Sequence, residues 1–102
     1  MSDYYHVVML KLAAGADDAF HRKVEDFCRA IRAQVDGVVS YDYEANEASR
    51  AKGFGHAVIS RFVSEEAHEA YQVCPLHVEM KTFMAPMIED LIVLDCTTGG
   101  RG

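Results

Sequence analysis

The stretch His6-Val-Val-Met-Leu-Lys-Leu12 returns fifty residues later as His56-Ala-Val-Ile-Ser-Arg-Phe62. Both are β-rich, and each leads through a turn signal into a helical pattern. The first run, 4–12, ends at Ala13-Ala14-Gly15. Asp17 and Asp18 then stand where a helix start favours acidic groups. Phe20, Val24, Phe27, Cys28, Ile31 and Val35 follow with a 3.6-residue period, so the spacing predicts a helix over 17–34, ended by Asp36-Gly37. The second run, 56–63, leads into Ser64, a good N-cap, with Glu65 and Glu66 in the first helical turn. Pro75 interrupts this short helix and can open another, because proline is tolerated at the first helical position. Met80, Phe83, Met84 and Met87 give the new helix an apolar stripe, and Pro86 closes it.

Two further strands complete the pattern. Residues 38–43 alternate Val39, Tyr41 and Tyr43 against Val38, Ser40 and Asp42, and 91–96 form the last apolar run. Residues 44–53 read as a loop and 97–102 as a frayed tail. The order β-α-β-β-α-β is the split βαβ arrangement of a ferredoxin-like α+β sandwich: one domain, a four-stranded antiparallel sheet, helices on one face. Within that sheet the internal echo suggests a pseudo-two-fold with the first and third strands as parallel central neighbours. His6 and His56 would then start adjacent strands and share a face. The opposite face would carry Tyr5, Val7, Met9, Ala57 and Ile59, with no element left to cover it. A homodimer packed sheet to sheet is the expected solution.

Composition narrows the function classes. A chain of 102 residues with 50% hydrophobic and 25% charged residues is ordinary globular material for one domain. Ten Lys and Arg against sixteen Asp and Glu give a net charge of −6, with no basic block. Nucleic acid and anionic membrane surfaces are therefore poor partners. No signal-like or membrane-spanning segment is present. Cys28, Cys74 and Cys96 are odd in number and widely spaced, without a CxxC, which points to a reduced, cytoplasmic setting. No HExxH, P-loop or GxGxxG occurs, so neither a metal nor a cofactor is expected.

Five histidines, His6, His21, His56, His68 and His77, are the main carriers of chemistry. His21 and His68 sit among charged residues in helical segments and read as solvated. His6 and His56 read singly as hydrogen-bonded strand histidines, and as a facing pair they could line a pocket. Tyr71-Gln-Val-Cys-Pro-Leu-His77 is the most informative segment, because Pro75 breaks a helix between a tyrosine and a histidine. Over a cleft, His77 could act as base and Tyr71 could donate to a developing enolate. The alternative has Tyr71 packed in the core and His77 bonding the carbonyls of the broken turn. Cys74 lies close by, but no second group that would activate its thiol is evident.

These segments together resemble the stress-responsive A/B barrel (Dabb) family over roughly 4–96. The similarity rests on His6-Val-Val-Met-Leu-Lys, Gly37-Val38, Asn46, Gly53-Phe54-Gly55-His56, Arg61-Phe62 and Tyr71-Gln-Val-Cys-Pro-Leu-His-Val78. The last of these is similar to the family's Tyr-x-x-His-Pro-x-His-Val signature, with Cys74 in place of the first histidine. The resemblance implies a ferredoxin-like sandwich that dimerises into an α+β barrel without an iron–sulfur cluster. The site pattern is similar to that of olivetolic acid cyclase, a family member that closes a polyketide by aldol condensation. This implies Tyr71 and His77 as a catalytic pair and His6 and His56 as pocket walls. A first-helix tyrosine of that pocket corresponds to Cys28 or Phe27, which are thus expected to contact a ligand. Two functions follow: a cofactor-free cyclase, lyase or isomerase acting on a small apolar or aromatic carbonyl compound, or a dimeric ligand-binding or stress-response module without turnover.

Overall fold

A computed structural model describes residues 3–99. The elements run β1 (Asp3–Leu12), α1 (Asp18–Gln34), β2 (Val38–Ala45), β3 (His56–Phe62), α2 (Glu65–Gln72), α3 (Pro75–Met84), a 3-10 turn (Ala85–Met87) and β4 (Ile88–Thr98). One sheet has the order β2-β3-β1-β4, with every neighbouring pair antiparallel. The architecture is the expected ferredoxin-like α+β sandwich. Its helices start where the side chains dictate. Asp17 caps α1 by accepting the Phe20 amide at 2.9 Å, and Ser64 caps α2 by accepting the Ala67 amide at 3.1 Å. Pro75 stands in the first turn of α3, where its missing N–H is not needed.

Three expectations are corrected. The central strands β1 and β3 are antiparallel, not parallel. The α1 crossover sets β2 parallel to β1, and the loop from β2 into β3 reverses the chain, so β3 must run antiparallel to β1. His6 therefore lies opposite Ser60, and His56 lies opposite Leu10. The two histidines share a face but stand four positions apart, roughly 13 Å along the sheet. Next, a register shift between Val38 and Ser40 changes the alternation of β2: Val38 joins Tyr41 and Tyr43 on the helix side, and Val39 is exposed. Finally, β4 continues through Thr97 and Thr98, which pair with Tyr4 and Asp3, so the expected frayed tail begins later; residues 100–102 lie outside the described residues.

The core fills the space between the helices and one face of the sheet. Val24, Cys28 and Ile31 of α1, Tyr41 of β2 and Phe62 of β3 are fully buried. Gly37 closes the α1–β2 turn at φ +82°, and a Cβ there would meet Ala67 Cβ at 2.5 Å. Conformation and packing both require glycine at this point. The other face carries Val7 and Met9 of β1, Ile59 of β3, and Ile92 and Leu94 of β4. Ile92 and Leu94 are each 55% exposed, so the uncovered apolar face expected from the sequence is present. No described helix is long and apolar enough to cross a membrane.

Candidate functional site

A cavity of about 350 Å³ lies between the helix-side face of the sheet and the α2–α3 junction. Its walls are mainly apolar and include Val8, Val58, Met80, Met84, Leu91 and Val93. Its polar groups are few: His6 and Asp95 from neighbouring strands, Tyr41 from β2, Tyr71 and Gln72 from α2, and His77 and Lys81 from α3. Leu91 and Val93 line the cavity yet remain 44% and 47% exposed, so it opens at the β4 edge.

The broken helix builds the centre of the site. Tyr71 lies in the last turn of α2, which ends at Gln72; two non-helical residues follow, and Pro75 starts α3 with His77 in its first turn. The break turns His77 back over Tyr71, with the two ring centroids 4.2 Å apart. The Tyr71 hydroxyl lies 2.5 Å from the Tyr41 hydroxyl, and the pair is buried. Burial pushes both phenols well above the ordinary tyrosine range, so both stay protonated at neutral pH. If Tyr41 donates to Tyr71, the Tyr71 O–H is left to donate to a ligand.

His77 Nδ1 lies 3.1 Å from the Gln72 carbonyl, to which it donates. Its Nε2 makes no hydrogen bond among the described residues and is thus the acceptor nitrogen. Burial lowers the His77 pKa to about 4, opposed by the Gln72 carbonyl and helped by nearby Lys81. The ring is therefore neutral throughout the physiological range.

His6 is also buried, and its Nδ1 lies 2.5 Å from Asp95 Oδ1 on the adjoining strand. Their pairing follows from register, since His6 and Asp95 are direct partners across β1 and β4. His68, expected to be solvated, is only 6% exposed. It turns inward from α2, with its ring 4.4 Å from His6 and 5.1 Å from Tyr4. Its neighbours in sequence are charged, but the sequence could not show that it lies on the sheet-facing side of a two-turn helix.

The structure brings His6, Tyr71 and His77 into one cavity and leaves three expected residues out of it. His56 stacks on His21 at 4.5 Å and on Tyr43 at 5.4 Å, in a separate cluster at the other end of β3. His21 Nδ1 lies 2.8 Å from the Tyr43 hydroxyl, so His21 is likewise engaged. The antiparallel register carries His56 there. Cys28 is wholly buried in the core, and burial raises its thiol to about 12. Phe27 packs against Phe83, with centroids 6.0 Å apart, between α1 and α3. Neither residue lines the cavity. Tyr41 and Asp95 were not anticipated in the site. Strand alternation could have placed Tyr41 on the helix side, but the partner of His6 depended on the register of β4.

Comparison with known proteins agrees with this architecture. No curated protein sequence matches the chain. Among solved structures, the hydroxynitrile lyase from Passiflora edulis superposes with a TM-score of 0.84 at 16% identity, covering 98% of this chain and 96% of that one. A Dabb family protein with a ferredoxin-like fold from Mesorhizobium loti gives 0.78 at 16% identity, over 98% and 100% of the two chains. A dimeric ferredoxin-like protein of unknown function from Thermobifida fusca gives 0.81 at 18% identity, over 95% and 92%. At these identities the likeness is one of fold. The family profile goes further, because it matches residues 4–98, from the first strand through the last. With the sheet order, the proline-broken helix and that match in agreement, the chain belongs to the stress responsive A/B barrel domain (Dabb) family.

Proposed function

We propose that the cavity binds a small, largely apolar carbonyl compound and that Tyr71 and His77 move a proton on it without a cofactor. The observation that carries this reading is the Tyr71–His77 pair, 4.2 Å between rings, on the wall of a mainly apolar cavity. The neutral His77 Nε2 takes a proton from the carbon beside the carbonyl. The electron pair moves onto the carbonyl oxygen, and the Tyr71 hydroxyl, backed by Tyr41, stabilises the oxyanion. The proton then returns to carbon, or the enolate carbon attacks a second carbonyl within the same molecule, whose π pair moves onto its oxygen and takes the proton back from His77. Nothing is oxidised or reduced.

A second reading, a binding or stress-response module without turnover, draws on the depressed His77 pKa, which makes this imidazole a weak base. Hydrogen–deuterium exchange separates the two. A panel of β-keto and aromatic carbonyl compounds is incubated with the protein in D2O and followed by NMR. Enzyme-dependent exchange beside the carbonyl, lost in His77→Gln, supports proton transfer. Saturation transfer showing binding without exchange supports the module.

We further propose that the chain works as a homodimer built on its uncovered sheet face. Val7, Met9, Ile59, Ile92 and Leu94 form a patch that the chain's own elements do not cover. The Thermobifida fusca neighbour is itself described as dimeric.

A further inference from the structure

We propose that His6, His68 and Asp95 form a binding site for one divalent transition ion of the Zn2+ class. The three residues come from β1, α2 and β4, far apart in sequence. One nitrogen from each imidazole and one Asp95 oxygen lie within 4.8 Å of one another. The His6 and His68 centroids are 4.4 Å apart with planes tilted by 46°, a spacing two rings can keep while both present an edge to one ion. The donor set selects the metal class. Mg2+ and Ca2+ favour oxygen ligands, whereas two imidazoles with one carboxylate suit Zn2+, Co2+ or Cu2+. Three protein ligands leave a coordination position free, and His6 and Asp95 both line the cavity.

The surroundings hold the imidazoles in place. The Ser60 hydroxyl donates to the His6 carbonyl at 2.7 Å, which fixes the backbone from which the ring projects. The Gln72 side-chain nitrogen lies 2.9 Å from His68 Nε2; turning this amide over lets its oxygen accept Nε2–H and frees Nδ1 for the ion, and Phe62 packs edge-on against that ring at 5.2 Å. Such outer contacts orient metal-binding histidines. The Asp95 side chain is 36% exposed, which gives an ion a route from solvent and the carboxylate room to move. It now sits 2.5 Å from His6 Nδ1. Ligands on a tetrahedral ion lie roughly 3.3 Å apart for bonds of about 2 Å, so the carboxylate needs only a small retreat. This site goes beyond the proton-transfer reading and is read out without any substrate, so either can fail alone.

The test uses the full chain, stripped with a chelator, dialysed and titrated with ZnCl2 by calorimetry and by NMR of the histidine rings. One ion per chain is expected, with a Kd of about 10 μM or tighter. His6 and His68 resonances should shift while those of His21 and His56 stay. His68→Gln and Asp95→Asn should each weaken binding at least about tenfold, and His21→Gln should leave it unchanged. Absence of binding at about 1 mM Zn2+, or ring shifts confined to the His21–His56 pair, would overturn the site. If a variant does not fold, the pattern of ring shifts in the wild-type protein decides alone.

Discussion

The rings of Tyr71 and His77 face each other at 4.2 Å although a helix ends and another begins between them. Without the break at Pro75, an uninterrupted helix would carry residues six positions apart to different faces. The proline-opened turn is thus what converts two residues of one segment into a unit beside a cavity.

If that unit transfers protons, His77→Gln and Tyr71→Phe should each slow exchange roughly 10²–10³-fold, the usual scale of a general base or an oxyanion donor. Tyr41→Phe should have a smaller effect in the same direction, since it removes the partner of the Tyr71 hydroxyl. Cys74→Ser should be neutral, because Cys74 caps α3 without a side-chain hydrogen bond. Exchange rates by NMR check all four, and full activity in His77→Gln would sink the scheme.

Stability should fall as the solution is acidified from about pH 6.5 towards the His77 value of about 4. In that window the unfolded chain takes up a proton that the buried His77 refuses, so the folded state loses its advantage; above it the contribution is fully present. Burial also lowers His56 and His68, and their slopes add in the same sense. Lys81, His6 and His68 are the charged or titratable groups that act on His77. Urea midpoints measured across this range should vary less in His77→Gln than in the wild type. Parallel curves would refute the assignment.

Placing a charge on the bare sheet face should separate the proposed dimer. Ile92→Asp is the test, because Ile92 is 55% exposed and its replacement disturbs no core contact. The wild-type chain should sediment as a dimer, burying on the order of 1,200–2,000 Å² in total. The variant should sediment as a folded monomer with unchanged circular dichroism. A wild-type monomer at micromolar concentration would dispose of the assembly.

Gly37→Ala should be among the more damaging small substitutions in the chain. The left-handed conformation costs a side chain roughly 1–2 kcal/mol, and displacing Ala67 from its 2.5 Å approach adds strain of about 1–3 kcal/mol. Chemical denaturation checks the size. A loss below about 0.5 kcal/mol, the range of ordinary surface changes, would show that the turn relaxes.

Local signals were legible in the chain. The period of Phe20, Val24 and Ile31, the caps Asp17 and Ser64, and the proline at position 75 each act over one or two helical turns, and the elements begin where these residues place them. The break between Tyr71 and His77 was legible for the same reason, whereas whether the two face a cleft or pack into the core stayed open, because that depends on the sheet beneath them. His68 is buried despite its charged neighbours, which report on a helix's average exposure and not on which side meets the sheet.

By itself, the sequence determined the order of elements, the bare apolar face and the proline break that separates Tyr71 from His77, all consequences of short-range periodicity and steric limits. Only the tertiary structure decided what joins them. Antiparallel register carried His56 away to His21 and Tyr43, while the pairing of β4 with β1 set Asp95 against His6. Packing of α1 kept Cys28 and Phe27 in the core, and packing of α2 turned His68 onto His6. Register and helix-face choice depend on contacts across the whole domain, and a side-chain pattern read along one segment carries no record of its distant partner.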